Sequence, residues 1–209
     1  MSLPHSSALP GDVPVAPPSR PRVVALVLAA GRARRFGADK RQARLSDGRS
    51  LLQAVVQTQR EACDEVLVLL REGDAWGQAL CADLGAQWLA VPDADRGMGH
   101  TLATGLQALQ ADGAVAAALV VLADMPAVQP ATVRALIAAF SHEGRAAWPW
   151  HAGQPGHPRL LPRASWPALL DVSDDEGARR RLDWSQATRV EVPDTGILID
   201  IDSPADLGG

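Results

Sequence analysis

Short uninterrupted apolar runs alternate along the chain with stretches whose apolar positions recur every three to four residues. VVALVLA (23–29), EVLVLL (65–70), QWLAV (87–91) and AALVVLA (117–123) are of the first kind. Such runs mark strands buried on both faces. LLQAVVQTQREA (51–62) has helical spacing, with Ser50 placed as its N-cap. Helical spacing also covers 75–84, 99–111 and 130–140, the last opening on Pro130, a good first-turn residue. Further strands are predicted near 146–150, 189–192 and 197–201, with helices around 164–170 and 176–182. Repeated βα alternation predicts an α/β fold: a single Rossmann-like, three-layer domain with a mostly parallel sheet and helices on both faces.

Residues 1–21 break this pattern, holding six of the chain's 16 prolines. So proline-rich a segment cannot build a helix and has little to bury, so a disordered tail is expected, with the domain spanning 22–209. Composition changes the picture in two ways. The net charge of −4 argues against a nucleic-acid partner, since binders of polyanions carry a basic excess. The chain holds 19 arginines but a single lysine, Lys40, which makes that ammonium group stand out. Cys63 and Cys81 have neither disulfide nor metal-site spacing and read as reduced thiols. No apolar run approaches the roughly 20 residues that span a bilayer, and the N-terminus lacks the apolar core of a secretory signal. A cytoplasmic protein without a membrane partner is the default expectation.

The chemistry gathers where predicted strands end, which is where open α/β sheets bind ligands. LVLAAGRARRFGADKR (26–41) puts Gly31, three arginines, Gly37 and Lys40 directly after the first strand. A glycine-marked turn lets backbone N–H groups converge on an anion, and Arg and Lys add charge-assisted hydrogen bonds to phosphate. The stretch lacks both GxxxxGK[ST] and GxGxxG, so neither a Walker loop nor the dinucleotide fingerprint is present. A basic surface turn is the alternative reading. Asp124 follows the 117–123 strand, placed to meet a ligand or to serve as a turn aspartate. Asp200 and Asp202 alternate at the end of the predicted last strand. DRGMGHTLATG (95–105) opens a helix whose N-terminus could accept an anion.

These segments carry a resemblance. LAAGRARRFGADK is similar to the LAAGxSxRMGxxK signature of nucleotidyltransferases of the sugar-phosphate and molybdenum cofactor type, with Ala33 and Phe36 replacing the usual Ser and Met. LADMP resembles their metal motif, DRGMGHTLATG their GMGxSLxxG segment, and ILIDIDSPADL their DIDTPEDL ending. GQPGHPRLL (153–161) and SDDEGARRRL (173–182) resemble segments of the cytidylyltransferase branch. The resemblance covers roughly 23–207 and implies the nucleotide-diphospho-sugar transferase fold. It implies transfer of CMP from CTP to the phosphate of a molybdopterin-type acceptor, with pyrophosphate released.

By position it assigns catalysis to Arg35, Lys40 and Asp124. Nucleotide contacts fall to Leu28, Ala29, Ala30, Gly31, Arg32, Gly37, Lys40, Gly97, Met98, Gly99 and Thr101. Mg²⁺, which takes one or two carboxylates plus phosphates and water, falls to Asp124 with Asp202, which precedes the Ser-Pro turn, ahead of Asp200; the alternative for Asp202 is a cap on the helix opened by Pro204. Gly156, His157 and Arg179 are implied on the acceptor side. Trp148 and Trp150 are candidate cleft walls, and the other tryptophans read as packing. The alternatives are a guanylyl or other NTP transferase with a different acceptor, a non-catalytic chaperone of a molybdoenzyme, and a plain dinucleotide-binding domain.

Overall fold

The computed structural model describes residues 21–32, 36–171 and 181–208. In chain order the elements are β1 (Arg22–Leu28), α1 (Leu51–Ala62), β2 (Glu65–Arg71), α2 (Ala75–Asp83), β3 (Gln87–Val91), α3 (Met98–Gln110) and β4 (Val115–Leu122). They continue as α4 (Pro130–Glu143), β5 (Ala147–His151), β6 (Gln154–Pro155), β7 (Arg159–Pro162) and β8 (Thr188–Glu191). The strands form one sheet in the order β3-β2-β1-β4-β7-β5-β6, with β8 beside β5. β1 to β4 pair in parallel, while β7 runs antiparallel to both β4 and β5. This is the expected mixed, mostly parallel three-layer fold.

The apolar runs are continuous because both sheet faces are covered. Along β1, Val23, Ala25 and Val27 enter a core with α1, α2 and α4, while Val24 and Leu26 enter the other, with α3. α1 begins at Ser50, whose hydroxyl accepts from Gln53 N at 3.2 Å while Gln53 Oε1 accepts from Ser50 N at 3.3 Å. That capping box fixes the helix start as the sequence predicts. α3 lies close to β1 and β2 because Gly105 has no side chain; a Cβ there would stand 2.6 Å from Leu69 Cδ1 and 2.8 Å from Leu26 Cδ1. Both cysteines are buried and neither is in a disulfide, and burial pushes the Cys81 thiol up to about 11, which keeps it protonated and inert.

Two predicted elements differ. The strand expected at 197–201 is a 3-10 turn, Thr195–Leu198, followed by chain that joins no strand among the described residues. Buried Asp194 sets this path: it accepts from Gln129 N (2.9 Å), Thr132 Oγ1 (2.6 Å) and Gly196 N (2.9 Å), tying the segment to the start of α4. Ile201 N then donates to Asp124 O at 2.9 Å, so the chain crosses the end of β4. The helix expected at 164–170 is a 3-10 segment, Arg163–Leu169, that contains Pro167, which has no N–H to give. β6 and β7 escape the sequence pattern because they are short and bounded by prolines. Most of the predicted 176–182 helix, and residues 1–20 of the predicted tail, lie outside the described residues.

Candidate active site

At the carboxyl ends of β1, β2 and β4 a cleft of about 590 Å³ opens, a size suited to a small organic ligand. Its floor is the turn after β1. Ala29 and Ala30 are buried, Ala29 N still pairing with Leu69 O at 3.0 Å, and the chain emerges at exposed Gly31 and Arg32. Two arginines hold this turn from behind. Arg41 Nη1 donates to Ala29 O at 3.0 Å and also pairs with Asp74, while its Nη2 pairs with Asp39 at 2.7 Å. Arg71, the last residue of β2, donates to Ala30 O at 3.0 Å and to Asp95 at 3.0 Å. Asp95 also takes Arg32 at 2.9 Å, which ties the turn to the loop before α3. Hydrogen bonding from Arg71, with Arg32's charge added, holds the Asp95 carboxyl below the usual carboxylate range.

α3 points its N-terminus at the opposite wall. Gly97 precedes it with φ 108°, a left-handed conformation that suits glycine, and offers no side-chain cap. With no side chain at the N-cap, this helix N-terminus is a place where an anion is favoured. Exposed Met98 and buried Thr101 line the cleft here, with Thr101 Oγ1 3.3 Å from Gly97 O. Gly99 is buried and does not line the cleft. His100 binds Pro92 O through Nε2 at 2.8 Å, a loop-holding contact.

The charged centre lies where the turn, β4 and the C-terminal segment meet. Lys40, on the 3-10 turn Lys40–Gln42, is 7% exposed. Its Nζ stands 3.1 Å from Asp124 Oδ2 and 3.1 Å from Asp202 Oδ1. Lys40 thus reaches Asp202, 162 residues away in sequence, and shares its one ammonium group between Asp202 and Asp124. Asp206 supports Asp202: its Oδ2 accepts from Asp202 N (3.0 Å), Ser203 N (2.7 Å) and Ser203 Oγ (2.9 Å). Those bonds hold the Asp206 carboxyl below its usual range.

The other oxygen of Asp124, Oδ1, is buried with no hydrogen-bond partner among the described residues. A buried carboxylate oxygen without a donor is costly and fits a site that takes a cation. No group of three or more His, Cys, Asp or Glu side chains gathers for a metal among the described residues; Asp124 and Asp202 could hold a hard ion of the kind that takes one or two carboxylates and shares the rest with phosphates and water.

Of the residues named from the sequence, Leu28, Ala29, Ala30, Gly31, Arg32, Lys40, Gly97, Met98, Thr101, Asp124 and Asp202 line this one cleft. Gly37 does not; it supplies a turn at φ 73°. Asp200 is exposed and outside the lining. Arg35 and Arg179 lie outside the described residues. Gly156 and His157, implied on the acceptor side, do not reach the cleft. Gly156 packs where a Cβ would be 2.4 Å from Ile197 O, and His157 N donates to that same carbonyl at 3.1 Å. Burial, with Arg159's charge added, pushes the His157 imidazole down to about 3.

Trp148 and Trp150 are not walls of this cleft either. They form an edge-to-face pair at 5.2 Å, and Trp148 stacks on Trp184 at 5.1 Å. Arg159 lies over the Trp148 and Trp184 rings, and Arg189 sits 3.6 Å from the Trp150 centroid. Arg41, Arg71, Asp95 and Asp206 are the residues that the sequence did not reveal.

A mixed open sheet whose first and fourth strands end on a basic glycine turn and a carboxylate defines a class, the nucleotidyltransferases of the nucleotide-diphospho-sugar type. Within that class the chain belongs to the MobA-like NTP transferase domain family, whose profile matches residues 25–190. Among its relatives is a probable molybdenum cofactor guanylyltransferase of Chloroflexus aggregans, 40% identical over 113 residues. That match spans 53% of this chain and 50% of the relative. The fold is similar to that of a homologue of Mycobacterium tuberculosis Rv0371c from Mycobacterium sp. strain JC1, with a TM-score of 0.73, 27% identity and coverage of 90% and 93% of the two chains. Rv0371c itself, in complex with manganese, superposes with a TM-score of 0.64 at 22% identity, covering 82% of this chain and 87% of that one. No helix of the described residues is long and apolar enough to cross a membrane.

Proposed function

We propose that the protein transfers the nucleotidyl group of an NTP, CTP by preference, to the terminal phosphate of a molybdopterin-type acceptor and releases pyrophosphate. The observation that carries this reading is the convergence of Lys40, Asp124 and Asp202 beside the Gly31 turn. An acceptor phosphate oxygen attacks the α-phosphorus. A new P–O–P bridge forms, the α–β bridging bond breaks, and pyrophosphate departs with its electron pair. The acceptor needs no general base, because a phosphate monoester is already largely dianionic at neutral pH.

In this account the Gly31 backbone and Arg32 take the triphosphate, and Lys40 neutralises its β- and γ-oxygens as charge builds on the leaving group. Arg35 has the same task by its place in the signature. The N-terminus of α3 adds partial positive charge from the facing wall. Asp124 and Asp202 hold Mg²⁺, which when bound neutralises phosphate charge and polarises the α-phosphorus. The manganese complex of Rv0371c supports a divalent ion on this fold. Positioning and electrostatics supply most of the rate. Ala30 in LAAG and the Gly156–Pro158 segment favour the cytidylyl branch. The Chloroflexus aggregans relative favours a second reading, transfer from GTP by the same mechanism.

The test is pyrophosphate release with purified molybdopterin-type acceptor, Mg²⁺ and each of the four nucleotides. Release with CTP alone is the expected result. Release with GTP alone would move the base assignment and keep the chemistry. No release with any nucleotide would overturn the reading.

A further inference from the structure

Lys40 is the chain's one lysine and is nearly fully buried, a position an ammonium group takes only when paired. An ammonium has three donors. Two of Lys40's go, at equal length, to the carboxylates that the proposed function assigns to the metal. A Mg²⁺ ion binds carboxylate oxygen at about 2.1 Å. An ion held by the oxygens that Lys40 now engages would therefore lie within about 5 Å of Nζ, like charge against like in a partly buried site. The same ammonium is the group expected to meet the β- and γ-phosphates. It cannot bridge two carboxylates and embrace a triphosphate at once.

Resting on the metal reading above, we infer that Lys40 is the resident counter-ion of Asp124 and Asp202, so that the divalent ion enters with the triphosphate and not before it. In the nucleotide-free protein the ammonium engages one oxygen of each carboxylate and repels a second cation. An arriving triphosphate offers Lys40 a more highly charged partner and carries its own divalent ion. Lys40 moves from carboxylate to phosphate, and the freed carboxylates take the metal. Arg41 keeps the turn in place during this exchange, because it is anchored separately on Ala29 O, Asp39 and Asp74. The coupling is reciprocal: nucleotide strengthens metal binding by the factor by which metal strengthens nucleotide binding. It also guards against a futile metal-loaded state without substrate.

The test is Mn²⁺ binding to the full chain by electron paramagnetic resonance, for the natural protein and for Lys40→Met, without nucleotide and with a CTP analogue whose α–β bridge cannot be cleaved. The expected result is weak Mn²⁺ binding by the natural protein alone and binding at least about ten-fold tighter by Lys40→Met alone, the size of an ordinary site-to-site coupling. Binding to Lys40→Met that is unchanged or weaker would overturn the inference and leave the metal reading intact. No Mn²⁺ binding to either protein, even with the analogue, would instead overturn the metal reading. A second measurement does not depend on the variant's folding. Lysine-labelled natural protein gives one side-chain NMR signal. Mg²⁺ alone should leave it in place, and Mg²⁺ with the analogue should move it. Movement by Mg²⁺ alone would refute the inference.

Discussion

Asp194→Ala should unmoor the segment that delivers Asp202. The carboxylate is 1% exposed and receives three hydrogen bonds of 2.6–2.9 Å, from Gln129 N, Thr132 Oγ1 and Gly196 N. The Thr132 hydroxyl can rotate to another acceptor. The two backbone N–H groups cannot, and leaving a buried donor unpaired costs about 1–3 kcal/mol each. With the cavity left by the carboxyl group, the loss comes to about 3–5 kcal/mol, within the range for breaking a buried charged network. For a domain of this size that lowers Tm by about 10 °C. The damage should also reach the cleft, because Gly196 sits where a Cβ would be 2.1 Å from Ala127 O, three residues past Asp124. The assay is urea unfolding, followed by Mn²⁺ titration with nucleotide at a temperature where the variant is folded. A loss under about 1 kcal/mol would refute the view that this carboxylate clamps the C-terminal segment to α4.

Other substitutions separate packing from binding. Gly31→Ala meets no atom within 4 Å and should leave Tm unchanged while raising KM for the nucleotide, because the added methyl faces the triphosphate; Gly105→Ala, crowded by Leu69 and Leu26, should do the reverse. A nucleotide KM unmoved in Gly31→Ala would remove that turn from the site. Asp206→Ala removes three hydrogen bonds from the Asp202–Ser203 turn and should weaken Mn²⁺ binding with nucleotide about ten-fold, as losses around metal ligands do. Unchanged binding would show that Asp202 is held by other contacts. His157 should make stability pH-dependent. Its folded pKa of about 3 lies below the ordinary imidazole value, so the unfolded chain binds the extra proton and stability falls as pH drops from about 6.5 towards 3. His157→Gln should flatten that fall between about pH 6.5 and 4.5 in urea titrations, by up to about 1.4 kcal/mol per pH unit.

How much the chain reveals in advance depends on the range of the interaction. α1 is local: its start is a Ser-x-x-Gln box and its buried face is a 3.6-residue repeat, so both its ends follow from 13 consecutive residues. β1 and β4 announce themselves because burial on both faces leaves no room for polar residues. The glycine turn, Lys40 and Asp124 stand out by their position at strand ends. ILIDID misleads because its alternation is that of a strand, yet among the described residues no strand pairs with it; Asp194 and Gly196, with partners some 65 residues away, hold it across the sheet edge. Gly156 reads as a ligand-side glycine, but its reason is the carbonyl of Ile197, far along the chain. Arg41 and Arg71 are two arginines among 19 until the fold brings Ala29 O and Ala30 O to their guanidinium groups.

The most direct test of the central claim is a single-turnover reaction with CTP labelled at the α-phosphate, the molybdopterin-type acceptor and Mg²⁺, run on the natural protein, Asp124→Asn and Asp202→Asn. The account predicts that label passes to the acceptor with one pyrophosphate released per transfer, and that each substitution slows transfer by at least about a hundred-fold while the protein stays folded. Transfer at the natural rate in Asp124→Asn would contradict it.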